Sequence, residues 1–64
     1  MNRLKELRTK NGYTQKQIAD ELFMSVDAYG RRERGDVALK EDEIRALVRR
    51  YNCSWSGLLG DKEV

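Results

Sequence analysis

One spacing recurs four times along the chain and constrains its fold more than any other feature. An apolar residue precedes a helix-start residue, and a second apolar residue lies five positions after the first. This is the hydrophobic staple that surrounds a helix N-cap, so each copy predicts the start of a helix. The four copies are Tyr13-Thr14 with Ile18, Met24-Ser25 with Tyr29, Leu39-Lys40 with Ile44, and Cys53-Ser54 with Leu58. Lys40 is a poor cap, and the carboxylates at 41–43 compensate because they lie at the positive end of the helix dipole.

The ends of the helices are marked by residues that tolerate the left-handed backbone conformation. They are Asn11-Gly12, Gly35, Asn52 and Gly60. Between the starts and the ends, apolar residues recur at helical period, and the chain has no proline and no strand-like alternation. The sequence therefore predicts an all-α fold with five short helices. They are expected at about residues 2–10, 14–22, 25–34, 40–51 and 54–59, with boundaries accurate to about two to four residues.

The length and composition of the chain limit its chemistry. A chain of 64 residues suits one small domain, here residues 1–64, with a compact core. It has no histidine, one cysteine and no glycine-rich phosphate loop, which removes most nucleophilic, metal and nucleotide sites. We therefore expect no enzymatic activity, cofactor, metal or small-molecule ligand. Cys53 has no partner for an internal disulfide, no apolar run approaches membrane-spanning length, and Met1 leads directly into charged sequence. These features predict a cytoplasmic protein that does not contact a membrane.

Charge is unevenly distributed along the chain, although the net charge is only +2. Residues 1–35 carry eight basic and five acidic side chains, whereas residues 36–64 carry five basic and six acidic ones. The first half therefore suits an anionic partner. Charge alone does not decide this, because 38% charged residues on a small helical protein are commonly a solvated surface.

The segment from residue 14 to residue 35 has the arrangement of a helix-turn-helix. The helix "TQKQIADEL" is followed by a short joint at Phe23-Met24 and by a second helix, "SVDAYGRRERG". This pattern resembles the Cro/CI type of phage repressor, the family that also includes the xenobiotic-response-element regulators. The resemblance rests on Leu4, Leu7, Arg8, Gly12, Thr14, Gln15, Ile18, Ala19, Leu22, Glu33, Arg34 and Gly35.

The resemblance implies a compact five-helix lambda-repressor-like DNA-binding domain with its helix-turn-helix unit at about residues 14–34. Within the family, the size of the chain and its third helix look most like small Cro-like switch proteins of temperate phages of Gram-positive bacteria. These include the modulator-of-repression proteins. The implied partner is operator double-stranded DNA, and the implied location is a bacterial cytoplasm, at the nucleoid when DNA is bound.

The resemblance also implies roles for individual residues. Gln15 takes a position at which relatives hold a DNA phosphate, Ser25 caps the helix that enters the major groove, and Arg34 takes a further phosphate-contacting position. Arg31 is the strongest candidate for a base contact, because a guanidinium can bind guanine O6 and N7 together. The implied DNA-contacting residues are Thr14, Gln15, Ser25, Val26, Asp27, Gly30, Arg31 and Arg34.

Two further charged residues are implied to be structural. Arg8 and Glu33 match a largely buried ion pair that, in relatives, joins the first helix to the end of the third. We do not expect either side chain to contact DNA. If the pair is buried here, removing one partner should cost about 3 to 5 kcal/mol of stability.

Four features depart from the family pattern. Phe23 replaces the usual glycine at the joint, so either the turn is reshaped or Phe23 is an exposed apolar contact. Asp27 either accepts a hydrogen bond from cytosine N4 or indicates that the partner is not DNA, because its carboxylate repels phosphates. Gly30 weakens the helix by about 1 kcal/mol relative to alanine, which indicates close approach to a partner backbone or an unneeded side chain. The segment "DVALKEDE" replaces a basic segment, so we expect modest DNA affinity with a shallow salt dependence.

These departures leave two functions open. The first is a sequence-specific DNA-binding regulator of a phage lysis/lysogeny-type switch, acting as a homodimer on DNA. The second is an antirepressor that binds the opposing phage repressor as a heteromer and blocks its DNA binding. Arg32 is expected to send its charge to solvent or to a partner, and Trp55 either closes the core or forms an apolar patch for another subunit. The candidate protein interface comprises Phe23, Asp27, Arg31, Arg32 and Trp55.

Overall fold

The computed structural model describes residues 2–60, which form five α-helices. The helices span Leu4–Lys10 (α1), Gln15–Glu21 (α2), Val26–Arg34 (α3), Glu41–Tyr51 (α4) and Trp55–Leu59 (α5). No strand occurs among these described residues, so the prediction of an all-α fold is confirmed. Met1 and residues 61–64 of the expected domain lie outside the described part of the chain. None of the described helices is long and apolar enough to cross a membrane.

The starts of α2, α3 and α5 are fixed by side chains that cap them. The hydroxyl of Thr14 accepts a hydrogen bond from the amide of Gln17 at 3.1 Å. The side chain of Gln17 in turn accepts one from the amide of Thr14 at 2.8 Å, which completes a capping box. Ser25 and Ser54 accept the equivalent hydrogen bond from the amide three positions further on. Local hydrogen bonds therefore explain why these helices begin where the sequence predicts.

The first helix begins two residues later than predicted. The amide of Arg3 donates to the carbonyl oxygen of Leu58 at 2.9 Å, and the side chain of Asn2 donates to the carbonyl oxygen of Arg32 at 2.8 Å. These bonds hold the first described residues against α5 and α3. The predicted start differs because both contacts join distant positions and leave no local pattern in the sequence.

The core forms where the five helices meet, and the staples supply half of it. The second apolar residue of each staple is buried, namely Ile18, Tyr29, Ile44 and Leu58. The first apolar residue of each staple packs against the core in a half-buried position, namely Tyr13, Met24, Leu39 and Cys53. The remaining buried hydrophobic residues are Leu4, Leu7, Ala19 and Leu47. Fully burying a large apolar side chain contributes about 1.5 to 3 kcal/mol, so the staples both start the helices and hold them together.

The turn between α2 and α3 keeps the left-handed residue that a glycine usually provides. Phe23 has φ 58°. The amide of Met24 donates to the carbonyl oxygen of Ala19 at 3.0 Å, and the amide of Phe23 donates to that of Asp20 at 3.1 Å. This is the hydrogen-bond pattern of a Schellman helix end. The backbone is therefore not reshaped, and of the two alternatives the exposed apolar side chain is the correct one, because Phe23 is 96% exposed.

Candidate nucleic-acid interface

Glu33 and three residues around it join α1, α2 and α3. We call this group, Arg8, Tyr13, Gln15 and Glu33, the Glu33 cluster. The Arg8 guanidinium binds both carboxylate oxygens of Glu33, through Nε at 2.9 Å and Nη2 at 3.1 Å. Its Nη1 donates to the carbonyl oxygen of Tyr13 at 2.9 Å, and Nε2 of Gln15 donates to Glu33 at 3.2 Å. The Glu33 cluster therefore fixes the start of α2 relative to the end of α3.

The ion pair inside the Glu33 cluster is largely shielded from water. The side chains of Arg8 and Glu33 are 11% and 5% exposed. Burial alone would raise the pKa of Glu33, but hydrogen bonds from Arg8 and Gln15 outweigh it and hold that pKa below its usual value. The hydrogen bond to Glu33 raises the pKa of Arg8. Both groups are therefore charged at neutral pH, and the pair that the resemblance implied is present between α1 and α3.

Another part of α3 faces solvent, next to the Glu33 cluster. We call Val26, Asp27, Arg31 and Arg34 the outer face of α3, because all four are exposed and recur at helical spacing. Nη2 of Arg31 lies 3.1 Å from Oδ2 of Asp27, one helical turn away. Nε of Arg34 donates to Oδ2 of Asp36 at 3.3 Å, just beyond the end of the helix. The outer face thus presents two arginines, and each of them lies beside a carboxylate of this chain.

Arg32 does not belong to the outer face. Its Nε donates to Oε1 of Glu43 at 2.9 Å, and its Nη1 donates to the carbonyl oxygen of Ala28 at 2.9 Å. The side chains of Arg32 and Glu43 are only 12% and 9% exposed. Glu43 also accepts from the amide of Lys40 at the start of α4, which it helps to cap. The expectation that Arg32 sends its charge to solvent or to a partner is therefore wrong, because a carboxylate of α4 neutralises it inside the fold.

Gly30 is buried, in contrast to its neighbours on the outer face. A Cβ atom added to Gly30 would lie 3.3 Å from Nη1 of Arg34 and 3.9 Å from Nε2 of Gln15. These two polar side chains therefore extend close over the glycine backbone. Side chains of this chain therefore take up the space beside Gly30, and Arg34 would have to shift if a larger residue replaced the glycine. The close approach of a partner backbone at Gly30 stays a prediction.

A surface groove of about 700 Å³ lies beside the Glu33 cluster. Its lining residues are Asn2, Lys5, Arg8, Gln15, Glu33 and Arg34. The groove brings together two residues that the resemblance assigns to phosphate contacts, Gln15 and Arg34. It also adds Lys5, which the sequence analysis missed. The signal that could have found Lys5 is its spacing of three residues from Arg8, because positions i and i+3 share one face of a helix.

The remaining candidate residues lie in three places. Thr14 and Ser25 are exposed at the starts of α2 and α3, where their hydroxyls accept the capping hydrogen bonds. Phe23 extends from the turn between these helices. Trp55 is 43% exposed at the start of α5 and is not among the residues that form the core or pack against it. Phe23 and Trp55 are therefore the two large aromatic side chains that the described surface presents to a partner.

Two packed helices joined by a short turn, with the second helix exposed along one side, define the helix-turn-helix class. A helix-turn-helix family profile matches residues 4–58, and the chain belongs to this family. The resemblance to Cro/CI-type helix-turn-helix domains is thereby confirmed.

One relative adds to the family match. Over 62 residues the chain is 40% identical to the HTH-type transcriptional regulator ImmR of Bacillus subtilis (strain 168). The similarity covers 97% of this chain and 49% of ImmR, so the chain spans about half the length of that relative. No solved structure matches the chain significantly.

Proposed function

We propose that this protein is a sequence-specific transcription regulator that binds operator double-stranded DNA through the outer face of α3. The observation that carries the proposal is the division of α3 into two sides. The inner side is fixed by the Glu33 cluster and by the Arg32–Glu43 ion pair. The outer face is exposed and carries Arg31 and Arg34. A helix held in this way can dock in the major groove with its N-terminal residues against base edges.

Each part of the surface has a distinct role in this proposal. Arg31 binds guanine O6 and N7, and Val26 offers an apolar contact to a thymine methyl group. Gln15, Lys5 and Arg34, which line the groove beside the Glu33 cluster, contact phosphates and set the orientation of the domain on the duplex. Thr14 and Ser25 hold the starts of the two helices, so their hydroxyls support these contacts in addition to any they make themselves.

The family and the named relative support a regulatory role, since ImmR is named as a transcriptional regulator. We further propose that the protein acts as a homodimer on two half-sites in a phage lysis/lysogeny-type switch. A single domain gains little from counterion release, because Arg31 and Arg34 each lie beside a carboxylate of the chain. Two domains bound one helical turn apart would add their base contacts and compensate for this weakness.

Selection of duplexes from a random pool by the full chain tests the proposal. The expected result is one enriched sequence with two symmetric half-sites. Arg31→Ala should weaken binding to that sequence by about 10- to 100-fold, which corresponds to the loss of one bidentate base contact. Arg45→Ala is the matched control, because Arg45 is a similarly exposed arginine that pairs with Glu41 one turn away on α4. A pool without any enriched sequence would contradict the proposal. Equal losses of DNA affinity in Arg31→Ala and Arg45→Ala would also contradict it.

An antirepressor is the second candidate function, and the exposure of Phe23 is the observation that favours it. A phenylalanine that is in the left-handed conformation and 96% exposed costs stability without contributing to the core. In this role the protein forms a heteromer with the opposing phage repressor and blocks its DNA binding. A heteromer that forms without DNA and is lost in Phe23→Ala, combined with an unenriched pool for the chain alone, would favour this function over the first.

A further inference from the structure

The outer face of α3 contains an ion pair within the helix itself. Nη2 of Arg31 lies 3.1 Å from Oδ2 of Asp27, and the two side chains are 57% and 74% exposed. An ion pair this exposed contributes little to folding, because solvent screens it and both side chains lose rotamer freedom. The pair therefore adds little to the stability of the fold. Its main effect is on the conformation of the Arg31 side chain.

The position of Asp27 distinguishes Arg31 from the other arginines of α3. Arg32 is enclosed against Glu43 of α4, and the counter-charge of Arg34 lies beyond the C-terminal end of the helix. Asp27 instead lies one turn before Arg31, in the first turn of α3. It therefore holds the guanidinium of Arg31 toward the N-terminal end of the helix, which is the end that meets base edges when a helix-turn-helix docks.

The guanidinium of Arg31 has enough hydrogen-bond donors to contact both Asp27 and a base. It carries five N–H groups in a planar fork, and its contact with Asp27 is made through Nη2 at 3.1 Å. The remaining donors can still bind guanine O6 and N7 side by side. Because the side chain is already restricted before DNA arrives, less rotamer freedom is lost on binding.

We propose that Asp27 is a positioning residue that orients Arg31 for one guanine of the operator and so sets specificity at a G·C pair. This inference rests on the proposed DNA-binding function. It assigns Asp27 a role that differs from direct recognition of cytosine N4, because Asp27 acts through the contact of its Oδ2 with Arg31. A carboxylate in this position repels phosphates, so it lowers affinity for DNA of any sequence while it sharpens the choice of base.

The experiment compares base preferences of the full chain and three variants on the duplex that the wild-type chain selects. Dissociation constants are measured on that duplex and on duplexes with each base pair replaced in turn. We expect Arg31→Ala to remove the preference for guanine at one position, and Asp27→Asn to reduce the preference at the same position by about 3- to 10-fold. Asp27→Asn should also bind the replaced duplexes more tightly than the wild type does. The Asp27→Asn/Arg31→Ala double variant should show the base preferences of Arg31→Ala alone, since both act through one contact.

Asp36→Asn is the matched control, because it removes the carboxylate beside Arg34 and leaves the Asp27–Arg31 pair in place. It should change the affinity for all duplexes alike. The inference is overturned if Asp27→Asn alters the preference at a different base pair, leaves every preference unchanged, or adds its effect to that of Arg31→Ala. A wild-type chain that selects no sequence at all would instead contradict the proposed DNA-binding function.

Discussion

Arg31 and Arg32 are neighbours in the sequence but occupy opposite environments. Arg32 is paired with Glu43 inside the fold, with its side chain 12% exposed, whereas Arg31 is paired with Asp27 on the surface, with its side chain 57% exposed. Successive residues on a helix point about 100° apart, so one side chain faces α4 and the other faces solvent. The comparison teaches that the number of arginines on α3 overstates the cationic surface that it offers to DNA.

The inner and outer ion pairs should also differ in what they contribute to stability. Removing one partner of an enclosed pair leaves an uncompensated charge, which costs about 3 to 5 kcal/mol. An exposed pair contributes only about 0 to 1 kcal/mol. Substitutions on the two sides of α3 therefore test the comparison directly.

The largest effect is expected for Glu33→Gln. This change leaves the guanidinium of Arg8 enclosed without its counter-charge, and we expect the free energy of unfolding to fall by about 3 to 5 kcal/mol. Urea denaturation at neutral pH measures the loss. Asp27→Asn makes the same chemical change on the outer face and should alter stability by less than about 1 kcal/mol. If the free energy of unfolding fell by similar amounts in the two variants, the inner and outer ion pairs would not differ in their contribution to stability.

Acid should reduce the advantage of the wild type over Glu33→Gln. The folded state lowers the pKa of Glu33 below its usual value of 4.5, so it favours the ionised form relative to the unfolded chain. The stabilisation is therefore present above pH 4.5 and is lost as the pH falls from there through the folded pKa. Denaturation of both proteins across this range should show converging stabilities, and a constant difference would contradict the role given to the charge of Glu33.

A smaller loss is expected for Arg32→Met. The methionine retains much of the apolar stem, but Glu43 loses the hydrogen bond from the guanidinium and keeps the one from the amide of Lys40. Because the Lys40 amide at the start of α4 still compensates part of the charge of Glu43, we expect a loss below that of Glu33→Gln, about 1.5 to 3 kcal/mol, which is typical of a lost hydrogen bond to a charged group. Arg31→Met is the matched control on the outer face and should leave the denaturation midpoint nearly unchanged. Equal midpoints for the two variants would mean that the Arg32–Glu43 pair does not stabilise the domain.

A gain of about 1 kcal/mol is expected for Phe23→Gly, because glycine adopts the left-handed conformation without the penalty that Phe23 carries. For a domain of this size that gain corresponds to a rise in melting temperature of about 4 to 8 °C. Phe23→Ala removes the same ring but keeps a Cβ atom, so it should give little of the gain. If alanine stabilised as much as glycine, the exposed ring rather than the backbone would carry the cost.

The smallest effect on folding is expected for Arg31→Ala. Its side chain is exposed and its partner Asp27 remains solvated, so we expect the free energy of unfolding to change by less than about 0.5 kcal/mol. Thermal and urea denaturation measure this. A loss above about 1 kcal/mol would show that Arg31 supports the fold, and it would make any loss of DNA binding in this variant ambiguous.

Local pattern predicted most of the secondary structure. The four staples placed the starts of α2 to α5 within one residue of those observed, because a cap and its staple involve residues within five positions of each other. The left-handed residues Gly35, Asn52 and Gly60 occur at the helix ends, as the sequence indicated. The start of α1 was less accurate, since long-range hydrogen bonds from Asn2 and Arg3 decide it.

For the candidate site, some residues were predicted correctly and others were missed. The resemblance placed Arg8 beside Glu33, and the two side chains form the expected pair. The environment of Gly30 and the burial of Arg32 were not apparent, because they depend on which side chains of α2 and α4 lie against α3. Lys5 was overlooked because its relevance comes from a groove that forms only when α1 packs beside the Glu33 cluster.

The sequence by itself determined the presence of five helices, the side-chain caps of α2, α3 and α5 and the apolar residues of the staples, because these features arise from interactions between nearby residues. Only the tertiary structure decided which charges are enclosed and which remain on the surface. The Arg8–Glu33 and Arg32–Glu43 pairs join positions 25 and 11 residues apart, so their formation requires the helices to be packed at a particular rotation. That rotation is set by the whole core, and it leaves Asp27, Arg31 and Arg34 as the exposed charges of α3.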